Sequence, residues 1–424
     1  YDLAPLSSEL SSSYLLLAGD LQDLPPRQRS IYNTLNYSWQ LLSPALAELL
    51  ARCSVFRANF SYQAATAITG ASARLITQLI NRSLLSNDEQ RRGQIHEMVR
   101  QFAASKLAQN PALEAATQKR YAEYFLGLLL QWWEGNESRH WVVQLLPDMN
   151  NIYAAWDWAF SHQQFELLSR SMIAFTQFHL YTGQLWDMHL HVNAYYQKLL
   201  KQSAQEINAS GAQNFQEMQC ALTYGRGIAH YRLGNHERGV ELLNEAREQI
   251  NQHGYWYMAS SVECYLGNFC RQTLRCQEAH AHYLQALEYA HQQQQPFALS
   301  HALLNLATNM NQQGRPEEAL GYMQQASEIL QQYPDITLEA TYYGVLTDIN
   351  HAQGHWSEAF ENVEKTLEFN FQQAKTNMVH EFHTAGKILW QSGRFQQAKE
   401  YLERVNCADA DPLYQPGKYW HTVW

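Results

Sequence analysis

Gln313-Gly314-Arg315-Pro316-Glu317-Glu318-Ala319 is the stretch on which the fold turns, because it recurs. Leu233-Gly234-Asn235-His236-Glu237-Arg238-Gly239, Gln353-Gly354-His355-Trp356-Ser357-Glu358-Ala359 and Ser392-Gly393-Arg394-Phe395-Gln396-Gln397-Ala398 follow the same pattern. With Thr273-Leu274-Arg275-Cys276-Gln277-Glu278-Ala279 as a further copy, in which Leu274 stands in for the glycine, the turns step by 40 residues and by 39 at the last. A glycine there ends one helix in a left-handed conformation, and a small residue five positions later lets the next helix approach closely. Small residues should then recur where helices cross. Seven positions before the turns stand Gly227, Gly267, Ala307, Thr347 and Gly386; twelve after stand Ala246, Ala286, Ala326, Thr366 and Val405. The match weakens only in the last two repeats. Such a cadence predicts helical hairpins stacked into a solenoid, each burying its apolar face against its neighbours and together presenting a concave groove. A surface of that kind binds something rather than performing chemistry.

The rest of the chain agrees with a mostly helical protein. Its 424 residues exceed what one compact core usually holds, and only 11 Pro and 20 Gly interrupt it. The net charge of −10, from 30 Lys and Arg against 40 Asp and Glu, argues against a whole-chain electrostatic footprint for nucleic acid or anionic membrane. No apolar run reaches the roughly 18 to 20 residues that cross a bilayer, and no signal sequence opens the chain, so a cytoplasmic protein is expected. Cys53, Cys220, Cys264, Cys270, Cys276 and Cys407 form no CxxC pair and read as buried free thiols. The start at Tyr1, without Met, reads as an excised piece.

Upstream of the regular repeats, Ser161-His162-Gln163-Gln164-Phe165 and Tyr181-Thr182-Gly183-Gln184-Leu185-Trp186 read as turns of divergent hairpins. A polar stretch at 205–214 reads as a loop. The first hundred residues follow another plan: helices at 29–40, 44–53, 61–68 and 72–81, a hairpin pairing 83–86 with 94–96 around a charged tip at 87–93, and a returning helix. Ser43 before Pro44 is a good helix N-cap with proline in the first turn. Helices plus a small β-wing make a winged helix.

The repeat resembles the tetratricopeptide repeat, in a longer variant of about 40 residues, over roughly 212–406. The first part carries a second resemblance. Leu24-Pro25-Pro26-Arg27-Gln28-Arg29, Asn36-Tyr37-Ser38-Trp39-Gln40-Leu41-Leu42-Ser43-Pro44, Ser54-Val55-Phe56, Leu79-Ile80-Asn81-Arg82-Ser83-Leu84-Leu85 and Ile95-His96-Glu97-Met98-Val99-Arg100-Gln101-Phe102-Ala103 resemble the winged-helix module that follows the nucleotide-binding domain in bacterial STAND-type (NB-ARC-like) signalling ATPases. The two resemblances imply an all-α chain: 1–23 as the tail of a linker from an absent NTPase domain, 24–110 a winged helix with a small β-wing, 111–211 divergent helical repeats, 212–406 tetratricopeptide-like repeats in a right-handed superhelix, and 407–424 a tail. They imply the regulatory and sensor part of a transcriptional regulator, with a protein, peptide or small polar ligand in the groove and the NTPase domain as a partner in cis. In that family a Met-His-Asp motif ends the winged helix and its histidine senses the β-phosphate of ADP. Ile95-His96-Glu97 occupies this motif, so His96 would be the phosphate sensor in the intact protein; Ile for Met is conservative, and Glu for Asp adds a methylene. No GxxxxGK[ST] phosphate loop occurs, so this chain is expected to have no cofactor and no enzymatic activity of its own, with ATP and ADP belonging to the full-length protein. The competing reading is a free-standing scaffold for protein assembly, with the winged helix as adaptor or DNA contact.

Other candidates weigh less. DNA recognition by 72–81 would rely on Arg74, Arg82, Arg91 and Arg92, too few for that task. His380-Glu381-Phe382-His383 sets its histidines three apart, whereas a zinc HExxH needs four, so no metal site is expected. Trp132-Trp133 and Trp156-Asp157-Trp158 read as core. If first helices line the concave face, the groove comprises Tyr224, Tyr231, Arg232, Asn268, Arg271, Gln272, His301, Asn311, Asp348, His351, His380, His383 and Lys387. This polar lining of mixed charge suits a peptide or polar ligand.

Overall fold

The structure, a computed structural model, describes residues 26–134, 145–201, 209–372 and 378–408, with side chains for 32–131, 145–201, 213–371 and 378–404. The expected tail at 1–23, residues 409–424 of the tail expected at 407–424, the side chains of Trp132, Trp133 and Cys407, and residues 205–208 of the expected loop lie outside the described residues, while 407–408 end the last described helix. The chain is all-α, with one two-stranded sheet among the described residues. It divides into two compact units, 1–129 with 145–164, and 130–144 with 165–424.

In the first unit, α1 (Pro26–Gln40), α2 (Pro44–Cys53), α3 (Tyr62–Thr69) and α4 (Ala73–Asn81) precede β1 (Ser86–Asn87) and β2 (Gly93–Gln94), and α5 (Glu97–Leu107) follows. Ser43 caps α2 as expected, its hydroxyl accepting the Leu46 amide at 3.4 Å. The antiparallel strands pair Ser86 with Gln94 and Asn87 with Gly93, a shorter ladder than expected. Helices α6 (Pro111–Glu134) and α7 (Met149–Ser161) complete the unit through residues 129 and 164. Residues 111–129 and 145–164, expected as divergent repeats, therefore group with the hairpin unit. Its core stacks Phe56 on Phe60 at 4.0 Å and sets Tyr121 and Phe125 edge-on to Phe56.

The second unit is a run of helical pairs: α8 (Phe165–Thr182) with α9 (Leu185–Lys201), α10 (Ala209–Arg232) with α11 (His236–His253), α12 (Ala259–Gln272) with α13 (Cys276–Gln292), α14 (Pro296–Gln312) with α15 (Pro316–Gln332), α16 (Ile336–Ala352) with α17 (Trp356–Gln372), and α18 (Val379–Gln391) with α19 (Phe395–Ala408). Residues 209–214, expected as loop, are the first turns of α10, because nothing in Ala209-Ser210-Gly211-Ala212-Gln213-Asn214 blocks helical hydrogen bonding. The turn rule holds throughout: Gly234, Gly314, Gly354 and Gly393 have φ of 88°, 72°, 78° and 78°, and Leu274 is forced to 60°. The small residues sit where helices meet. Ala246, Ala286, Ala307 and Ala326 are fully buried, and a Cβ on Gly267 would come within 2.6 Å of the Tyr283 ring. Each alanine five positions after a turn, from Ala279 to Ala398, is likewise buried.

Candidate functional site

First helices of successive pairs line one cavity of 430 Å3 in the second unit. Gln177, Leu180 and Tyr181 come from α8, Arg232 from α10, Tyr265 from α12, Phe297 and His301 from α14, a face from Thr337 to Asp348 from α16, and His380, Glu381 and Thr384 from α18. The second helix α17 adds Val363, Thr366 and Asn370. Helices α8 and α16, four pairs apart in the run, meet across it: Tyr181 interacts with Thr337, and burial raises that phenol well above its ordinary range.

The charges of the cavity wall, and of Asp335 just outside its lining, are held in different ways. Asp335 caps α16, accepting the amides of Thr337 and Leu338 at 2.9 Å each, while burial raises its carboxyl. Glu381 accepts from the Asn370 amide at 2.9 Å. Asp348 opens into the cavity; its enclosed surroundings raise its pKa, and the nearby charges of His380, His351, Arg271 and Lys387 draw it back down. His301 stacks on Phe297 with ring centres 6.1 Å apart. Desolvation by the cavity wall and the charge of Arg232 push it down to about 4, so its imidazole is neutral at neutral pH. The Arg232 side chain has no hydrogen bond or ion pair among the described residues.

Of the groove residues expected from sequence, the structure brings Arg232, His301, Asp348 and His380 to the cavity. Tyr224 and Tyr231 are corrections. Tyr224 is fully buried with its hydroxyl 2.9 Å from Ser261 Oγ, and Tyr231 packs edge-on against His236 and Tyr265, because aromatic rings at those positions turn into the interface between helices. The others lie outside the cavity lining. Asn268 accepts the Tyr283 hydroxyl at 2.8 Å, Arg271 reaches Gln312 at 3.4 Å, and His351 Nε2 is 2.6 Å from Gln391 Oε1. Gln272, His383 and Lys387 are exposed and Asn311 is half-buried. Sequence reasoning missed Tyr181, Tyr265, Thr337, Thr341, Asn370 and Glu381. The α8 and α17 contributions had no signal in the repeat pattern; Tyr265 lies two positions before Gly267 on α12 and could have been found by extending the helical face.

In the first unit, His96 is exposed and serves as N-cap of α5, its Nδ1 accepting the Met98 amide at 3.3 Å. Glu97 next to it is gripped by both arms of Arg100 at 2.7 Å, which holds its carboxyl below the ordinary range. Arg92, expected near DNA phosphates, is instead committed to Asp148 and to the Asn59 carbonyl, and Arg82 donates to Leu41 O at 3.3 Å; Arg74 and Arg91 remain exposed. Trp156 is core as expected, while Trp158 stacks on His162. Cys53, Cys220, Cys264 and Cys270 are buried thiols, the first three raised to about 12 by desolvation; Cys276 is half-buried. Among the described residues no group of three or more His, Cys, Asp and Glu could hold a metal, and no helix is long and apolar enough to cross a membrane.

The tetratricopeptide repeat family matches residues 299–370, all of α15 and α16 with most of α14 and α17. No curated protein is similar to the chain in sequence at a significant level. Among solved structures, a Rap protein complexed with Competence and Sporulation Factor is 13% identical over 68% of this chain and 77% of that one, with a TM-score of 0.50. A STAND signal transduction ATPase with a tetratricopeptide repeat sensor, from Pyrococcus horikoshii, is 17% identical over 88% of this chain, at a TM-score of 0.47; the chain spans 62% of its length. BtubC (BKLC) from P. vanneervenii is 15% identical, with 57% of this chain and 97% of that one covered and a TM-score of 0.42. The likeness to the Rap protein is one of fold, an all-helical repeat array.

Proposed function

We propose that this chain is the sensing arm of a STAND-type ATPase that regulates transcription in the cytoplasm. The array takes up a peptide or small polar ligand, and the first unit, a winged helix, relays the event to an NTPase domain in cis. The cavity of 430 Å3 carries the reading: an array serving only as a stacked scaffold needs no half-open chamber of mixed polar and apolar lining with an unpaired arginine on its wall. The exposed ring of His96 supports the relay, since its Nε2 is left to face an ADP phosphate while Nδ1 caps α5. The chain then has no catalytic role of its own, and ATP or ADP sits on the absent domain.

Gly344 gives a direct test. It lines the cavity from α16, and a Cβ built there meets nothing within 4 Å. Gly344→Trp should fill the chamber without disturbing the helix, leaving circular dichroism and melting temperature at or above wild type. In the full-length regulator it should abolish signal-dependent ATP turnover and the ligand that copurifies in native mass spectrometry. A folded Gly344→Trp regulator with an undiminished response would sink the sensor reading in favour of a free-standing scaffold.

A further inference from the structure

The charges round the cavity are unevenly matched. Asp335 is satisfied by two backbone amides, Glu381 by Asn370, and Asp348 lies among four basic side chains. Arg232 has nothing of the kind. No carboxylate lies within ion-pair distance of its guanidinium among the described residues, and the titratable groups that feel its charge are Tyr231, Tyr265 and a neutral His301. In a protein of net charge −10, an exposed arginine on the wall of a half-open cavity that pairs with none of the abundant carboxylates leaves its guanidinium available to a ligand's anion. A guanidinium in that setting is suited to bidentate recognition of a carboxylate or phosphate.

What surrounds it sets the rest of the ligand. Tyr265 is almost wholly buried, and Phe297 with His301 stacked on it forms a flat wall on α14. A neutral imidazole neither repels a cation nor supplies a second fixed charge, so the corner offers one cation beside three rings. We propose that this cavity binds a small organic anion, with its carboxylate or phosphate against Arg232 and an apolar or aromatic body against Phe297, Tyr265 and His301. The inference rests on the sensor reading of the cavity and narrows it to one chemistry, which either the free C-terminus of a short peptide or a small organic acid could supply.

Titration calorimetry on the purified chain, with the probes benzoate, phenyl phosphate, benzamide, and an N-acetylated aromatic tripeptide as its free acid and as its C-terminal amide, tests this. At least one anionic probe should bind, its neutral counterpart at least tenfold more weakly, and binding should weaken as salt rises. Arg232→Gln should lose at least tenfold for the anion, Arg232→Lys less, and both should keep the wild-type circular dichroism because the side chain is exposed. Tighter binding of the peptide acid than of benzoate or phenyl phosphate identifies a peptide source, and the reverse order a small acid; either supports the proposal. Equal affinity for acid and amide, full affinity in Arg232→Gln, or no binding of any anionic probe at millimolar concentration overturns it. If the response of the full-length regulator is lost in Gly344→Trp and retained in Arg232→Gln, the anion assignment fails while the cavity reading stands.

Discussion

Asn151 ties together the first unit through a single side-chain amide. Its Oδ1 accepts from the Arg57 amide at 2.9 Å, the Ala58 amide at 3.2 Å and the Tyr121 hydroxyl at 3.0 Å, and its Nδ2 donates to Asn59 O at 3.2 Å. The residue is fully buried, so the turn between α2 and α3 has no water to fall back on. Burial leaves the Tyr121 phenol far above its ordinary range. Leaving several buried polar groups unpaired at once makes Asn151→Ala cost about 3 kcal/mol. Urea denaturation followed by tryptophan fluorescence would show it, and a loss below 1 kcal/mol would mean that water replaces the amide. Nothing in the local sequence Met149-Asn150-Asn151-Ile152 announced this role. The partners of Asn151 lie about 30 and 90 residues away, and a contact of that span leaves no periodic trace. Ser43 as N-cap was legible for the opposite reason, since capping joins residues three apart.

The hairpin turn is the element that sequence reads best, because the constraint on it is a backbone dihedral within a few residues. Every repeat turn from Gly234 to Gly393 takes a positive φ, and the one position without glycine takes it too: Leu274 stands at 60° and its side chain is largely exposed, at 77%. Left-handed backbone costs a side-chain-bearing residue roughly 1 kcal/mol, and an exposed leucine recovers little of that by packing. Leu274→Gly should therefore stabilise the chain by about 0.5 to 1 kcal/mol, despite the greater freedom glycine gives the unfolded state. Gly314→Ala, the mirror change one repeat later at φ of 72°, should destabilise by a similar amount. Melting temperatures of the two variants, measured side by side, check the sign; a destabilised Leu274→Gly would show that the exposed leucine makes a contact worth more than the strain. Residues 209–214 of the loop expected at 205–214 failed at the same scale, because polar composition alone does not stop a helix when no proline or capping geometry interrupts it.

At the scale of the whole molecule, the cavity was half legible. The helical face carrying Arg232, His301, Asp348 and His380 follows from the repeat, but Tyr181 meeting Thr337 depends on how far the second unit coils over four successive pairs, a sum of small rotations that no single turn encodes. Burial on that scale also gives the fold a pH signature. His179, wholly buried on α8, donates from Nδ1 to Phe175 O at 2.7 Å, and desolvation pushes it down to about 4. An unfolded histidine titrates near 6.5, so as pH falls below that value the unfolded chain takes up a proton that the folded chain refuses. The stability His179 contributes is complete above pH 6.5 and drains away as pH falls toward 4, a loss of about 3 kcal/mol at the lower end. His301 at the cavity wall shifts in the same direction, while Asp335, raised by burial, works against them at the acid end. The urea midpoint should accordingly decline between pH 6.5 and 4.5. His179→Asn, which keeps a donor for the Phe175 carbonyl but cannot be protonated, should be less stable at pH 7 and show a shallower decline. If the variant followed the wild-type slope, the acid sensitivity would belong to other groups and His179 would have to be protonated, or hydrated, within the folded array.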